Sequence, residues 1–94
     1  MTEELVTLET AKLLKEKEMF TDIEFPPQSV AQKWLRETKN LHIEIPYMYG
    51  NYWIYNILTI PNHDLIGLSD RPIVRYNTYE EALEAGIQEA LKLI

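Results

Sequence analysis

His42 and Glu44 lie two apart, which on an extended segment puts both side chains on one face, and His63-Asp64 follow farther along the chain. These are metal-ligand residue types, but neither pair has a strong ligand spacing such as HExxH. Nucleophilic catalysis needs a nucleophile beside an oriented base. The chain has no cysteine, and its only serines, Ser29 and Ser69, lie outside any GxSxG context. Its three glycines are scattered and make no phosphate loop. Most carboxylates fall on the outer faces of expected helices. The expectation is no catalytic residue, no metal, no cofactor and no enzymatic activity.

The aromatic residues stand out more. Tyr47 and Tyr49 flank Met48, and Tyr52, Trp53 and Tyr55 follow at once; these five are half of the aromatic residues in the protein. Strand aromatics ordinarily pack the core or one another, and packing alone is the plainer reading. Yet four of them around a glycine-containing turn cannot all point inward. Exposed Tyr and Trp are typical of protein interfaces, and they also stack single-stranded nucleic acid. Net charge is −6, and the only basic cluster is Lys33, Arg36 and Lys39, offset by Glu37. Nucleic-acid affinity rests largely on neutralised phosphates, so the balance favours a protein partner. The candidate binding residues are Tyr47, Tyr49 and Tyr52, with Trp53 expected to be buried. A nucleic-acid-binding module using the hairpin with Lys33, Arg36 and Lys39 is the alternative; an enzyme ranks third.

The element that must hold these aromatics is a β-hairpin over 41–60. Leu41, Ile43 and Ile45 alternate with His42 and Glu44. Pro46 lacks an N–H and edges or ends the pairing. Gly50-Asn51 tolerates the positive φ of a tight turn. Both faces of Tyr52–Ile60 are largely apolar, which predicts a central strand. Asn40 is a left-handed helix cap in front of it. After the Pro61–Asp64 turn, 65–68 and 73–76 compete for the place of a third strand.

Helices flank the hairpin. Thr7 caps a first one, with Leu8, Ala11, Leu14 and Leu13 as its apolar stripe; Met19 and Phe20 tuck back onto the core. Residues 21–25 alternate as an extended piece, and Pro26-Pro27 breaks it. Gln28 or Ser29 opens a second helix that faces inward through Val30, Trp34, Ala31 and Leu35. Thr78-Tyr79-Glu80-Glu81 is a capping box for the last helix. Its expected stripe is Tyr79, Leu83, Ile87, Ala90, Leu91 and Ile94, and Ala82, Gly86 and Ala90 form a ridge of small residues for close packing.

With 94 residues and 46% hydrophobic content, the chain supports one core. The expected architecture is a small single α+β domain over 1–94, with 1–6 frayed. Two N-terminal helices precede an antiparallel hairpin or three-stranded sheet, and a C-terminal amphipathic helix packs on that sheet. The acidic N-terminus lacks an apolar signal region, and no apolar run reaches membrane-spanning length. The absence of cysteine adds to the expectation of a cytoplasmic protein with no membrane association. Oligomeric state is open.

Three stretches, TLETAKLLKEK at 7–17, PPQSVAQKWLRE at 26–37 and TYEEALEAGIQEALKLI at 78–94, together resemble a family of small uncharacterised proteins of bacterial genomes, phages and mobile elements. The resemblance implies a cytoplasmic bacterial or phage-derived protein and transfers no catalytic residue. Strands followed by TYEEALEAGIQEAL also resemble the strand–helix antitoxins of toxin–antitoxin pairs, although two helices stand in front here and the proline-glycine signature after the second strand is missing. The helix–strands–helix order is similar to double-stranded-RNA-binding domains. Those carry lysines at the start of the last helix, where Glu80 and Glu81 stand in this chain.

Overall fold

The computed structural model describes residues 5–17, 25–68 and 75–94. The expected Met19–Phe20 anchor, most of the extended piece at 21–25, and Ile73-Val74 of the second candidate strand lie outside these residues. The architecture is α+β, in the order α1 (Leu8–Glu16), α2 (Gln28–Thr38), β1 (Leu41–Glu44), β2 (Tyr47–Met48), β3 (Tyr52–Trp53), β4 (Asn56–Thr59), β5 (Leu65–Leu68) and α3 (Tyr79–Leu93). All strand pairs are antiparallel, in a three-stranded sheet ordered β1-β4-β5 and a two-stranded ribbon β2-β3.

The expected hairpin is therefore a hairpin with a break. Leu41 faces Thr59 and Ile43 faces Ile57 in its lower half; Tyr47 faces Trp53 in its upper half. Pro46 explains the break, since it has no amide hydrogen to give the ladder. Its carbonyl still accepts from the Ile54 amide at 3.3 Å, which keeps the two halves aligned. Gly50 at φ 106° and Asn51 at φ 64° make the turn, and Asn40 at φ 56° ends α2, both as the residue types predict. Residues 65–68 supply the third strand. Tyr76 joins the ribbon, through a single antiparallel bridge to the free side of Trp53, with amide–carbonyl distances of 2.8 and 3.0 Å.

Helices α2 and α3 cover one face of the sheet, and α1 packs on α3. Ile43 and Ile57 meet Leu83, Ile87 and Leu91 of α3, with Ala31 and Leu35 of α2 and Ala11 and Leu14 of α1 closing the core. Central β4 buries both faces: Ile57 toward the helices and Leu58 on the other side, with Ile54 buried just before the strand. The small-residue ridge of α3 is buried as expected. A Cβ added at Gly86 would stand 2.9 Å from Ile43 Cγ2 and 3.2 Å from Tyr55 Cβ, so glycine there sets how closely α3 approaches the sheet.

Several expectations are corrected. The frayed end does not extend to residue 6: Val6 is only 3% exposed, and its amide donates to the Pro26 carbonyl at 2.9 Å, beside a Leu5–Pro27 bridge. Leu8 is 55% exposed, and Thr10 takes its place in the buried stripe of α1. On α2, Val30 is 41% exposed, Trp34 is only half-buried, and Gln28 joins Ala31 and Leu35 inside. Pro27 stands at the cap position without a side-chain cap bond, and Gln32 donates its side-chain amide to the Ile43 carbonyl at 2.9 Å. On α3, Tyr79 is 39% exposed and Ile94 is half-buried. Ala11, Leu14, Ala31, Leu35, Leu83, Ile87, Ala90 and Leu91 are buried as expected, and half-buried Leu13, Trp34 and Ile94 pack against the core; only residues at the margins of each stripe differ, because its edges depend on partners far away in the chain.

Candidate protein-binding surface

The hairpin tip stands above the break at Pro46, and its two faces carry different chemistry. On one face Tyr47 and Trp53 are cross-strand partners with ring centroids 4.8 Å apart and planes tilted by 56°. Tyr79, the first residue of α3, also meets the indole, edge-on, at 5.5 Å and 88°. The three rings form one continuous aromatic ridge built from two strands and a helix start. Tyr47 is 58% exposed and Tyr79 partly so; Trp53 is half-buried between them, not in the core. The Tyr47 hydroxyl donates to Asn51 Oδ1 at 2.8 Å, which fixes its ring against the turn.

The other face carries Met48 and Tyr52, with the Arg75 guanidinium 4.6 Å from the Tyr52 ring centroid. Such a contact contributes about 0.5–1 kcal/mol at an exposed site. Tyr49, at the apex, is fully exposed. Of the three binding residues read from the sequence, Tyr47 and Tyr49 are thus open to solvent, while Tyr52 is half-buried on the opposite face from Tyr47. Sequence reasoning missed Tyr79 and Arg75, which join the tip through tertiary contact. A residue at the first position of a helix can face either way, so no local pattern would have found Tyr79.

The basic cluster lies elsewhere. Lys33, Arg36 and Lys39 are exposed on α2, with the Lys39 ammonium 5.6 Å from the Trp34 ring centroid. Among the described residues no group of three histidine, aspartate or glutamate side chains is placed to hold a metal ion. His42 pairs with Leu58 on β1, and His63 sits at φ 64° in the turn after β4.

Two polar sites were not foreseen. Glu84 of α3 draws three helix starts together. Its Oε2 accepts from the Thr7 amide and hydroxyl, both at 3.1 Å, and from the Thr10 hydroxyl; its Oε1 accepts from Gln28 Nε2 at 3.0 Å. Gln88 donates to Thr10 Oγ1 at 2.9 Å, and Gln28 also reaches the Glu80 carbonyl. An open cleft of about 600 Å³ lies beside this network, lined by Leu5, Tyr76 and Glu81 among others. A carboxylate this fully engaged is a clamp, since its lone pairs are already in use.

The second site joins Tyr55, Tyr76 and Glu89. Burial, and a hydrogen bond to the Glu89 carboxylate, push the Tyr55 hydroxyl well above the ordinary tyrosine value; burial and the Glu89 charge push Tyr76 the same way. Gly67 of β5 leaves room for this carboxylate, since a Cβ there would stand 3.2 Å from Glu89 Oε2.

No helix among the described residues is long and apolar enough to cross a membrane. No family model, curated protein or solved structure matches the chain.

Proposed function

We propose that the chain is a small protein-binding or accessory module without catalytic activity, and that the hairpin tip is its docking surface. The observation that carries this reading is the contiguous aromatic ridge Tyr47–Trp53–Tyr79, with fully exposed Tyr49 beside it. A lone exposed aromatic needs no explanation, but a contiguous patch on a small domain does. Interfaces take most of their energy from such Tyr and Trp anchors. A bacterial or phage-derived origin and a cytoplasmic setting belong to the same proposal.

The test is capture of partners by the wild-type chain and by a Tyr47→Ala/Tyr49→Ala double variant whose thermal melt matches wild type. A specific partner held by the first and lost by the second supports the reading; identical partner sets from both sink it. Arg75 over Tyr52 places one cation at the tip and is the feature that favours the alternative, a nucleic-acid module. Salt-dependent binding of single-stranded DNA or RNA, lost in a Lys33/Arg36/Lys39 triple-alanine variant, would establish the alternative instead.

A further inference from the structure

We infer that the outer face of α3 holds a linear polyamine, with one terminal ammonium at Glu81, the alkyl chain over Ala85 and the far ammonium at Glu89. The site is separate from the aromatic ridge and does not depend on the docking reading.

Two hollows follow one another along this helix. The cleft of about 600 Å³ is lined on α3 by Glu80, Glu81, Glu84, Ala85 and Gln88 and walled by Tyr76. A smaller hollow of about 240 Å³ shares Ala85 and Gln88 with it and adds Tyr55, Glu89 and Lys92. Positions 81, 85, 88 and 92 recur every three or four residues, so they line one side of the helix. The Tyr76 and Tyr55 rings, one beside each hollow, have centroids 6.2 Å apart and planes tilted by 38°. They make one wall, and the groove is continuous.

Among the described lining residues, the carboxylates of Glu80, Glu81, Glu84 and Glu89 face a single ammonium, that of Lys92. Glu84 lends only its charge, since the helix clamp engages its oxygens. The dipole of a helix start favours carboxylates, which accounts for Glu80 and Glu81 but not for Glu89, well inside the helix. There a second, independent observation points to a ligand: Glu89 Oε2 is buried and has no hydrogen-bond partner. Native structures rarely leave a buried acceptor alone, and an N–H donor entering the hollow is the partner it lacks. Glu81 and Glu89 stand about 12 Å apart along the axis, at the helical rise per residue. Between them lie Ala85 and the two tyrosine rings, a surface for methylenes whose rings also attract a cation. The order acid, apolar, acid is complementary to a chain with a cation at each end. A metal ion does not suit it, because among the described residues no three acidic or histidine side chains converge.

The experiment is an NMR titration of the full chain at about 0.15 M salt, following the backbone amides of Glu81, Ala85 and Glu89. The probes are spermidine, putrescine, hexylamine and magnesium ion. Extended spermidine reaches from Glu81 to Glu89; putrescine is too short, and hexylamine carries one charge. Saturable shifts at the three amides are expected with spermidine, at least about tenfold weaker binding with putrescine and hexylamine, and no competition from magnesium at equal ionic strength. Glu81→Gln and Glu89→Gln should each weaken spermidine by about tenfold. Should Glu89→Gln melt early, Lys92→Gln at an exposed position decides: removing the one cation of the lining should tighten spermidine, and unchanged affinity overturns the inference. It is overturned as well by the absence of saturable shifts or by equal binding of putrescine and spermidine. Shifts spread evenly over Glu9, Glu16 and Glu37 would show diffuse counterion attraction and overturn it too.

Discussion

At Gly86 two opposing effects meet, and their magnitudes decide the outcome. Alanine would gain about 1 kcal/mol of helix propensity. Its methyl would also press on Ile43 Cγ2 at 2.9 Å and on Tyr55, both held in the core. Overpacking of this kind costs about 1–3 kcal/mol, so Gly86→Ala should lower stability despite the helix gain, as a urea titration would measure. A higher midpoint would mean that α3 is free to lift. The tip residues predict a graded pair. Tyr49→Ala should change stability by less than about 1 kcal/mol, as exposed sites do. Trp53→Ala should cost about 2 kcal/mol, below the 3–5 typical of a core aromatic, because the indole is packed between two rings and half open to water. Equal melts for the two variants would contradict the ridge.

The helices depend on one another through Glu84 more than through any local signal. Removing its carboxylate in Glu84→Ala takes the acceptor from the Thr10 hydroxyl and from one N–H of the Gln28 amide, whose other N–H keeps the Glu80 carbonyl; both belong to buried residues. Unsatisfied buried polar groups cost about 1–3 kcal/mol each, so a loss of about 2–4 kcal/mol is expected. Hydrogen exchange should quicken in the first turns of α1 and α2 together, and quickening of one alone would argue against a shared clamp. Element by element, what was legible in the sequence is what a few neighbouring residues decide. The Thr7 and Thr78 hydroxyls cap their helices as read, accepting from the Thr10 and Glu81 amides, and Asn40, Gly50 and Asn51 adopt the positive φ their types permit. Pro46 was legible as a disruption of pairing, though not as the hinge of a two-part hairpin. Leu8, Val30 and Tyr79 were misplaced because each lies at the margin of its stripe, where distant packing sets the rotation. The Glu84 network was invisible because Thr7, Gln28 and Glu84 meet only after folding. The candidate site was half legible: Tyr47 and Tyr49 followed from turn chemistry, whereas Tyr79 is delivered by the last helix.

For the molecule as a whole, pH becomes a lever on the alkaline side. Tyr55 and Tyr76 hold their protons more tightly in the folded state than in the unfolded chain. The stability tied to them is therefore complete below the ordinary tyrosine value of about 10 and declines as the pH climbs above it. Tyrosinate absorbance should show Tyr55 and Tyr76 ionising above the ordinary tyrosine value. Tyr55→Phe should flatten the alkaline fall in stability, and an unchanged slope would show that these hydroxyls titrate freely.

The clamp also bears on the order of events while the chain is being made. Thr10 and Glu84 are 74 positions apart. A ribosome adding about 5–20 residues per second needs roughly 4–15 s to cover that distance. Throughout that interval α1 has been synthesised without the helix it docks against, and Ala11 and Leu14 stay uncovered by α3. Among the described helices α1 is thus the one that waits longest for its partner, and the one on which a chaperone or a protease has most time to act.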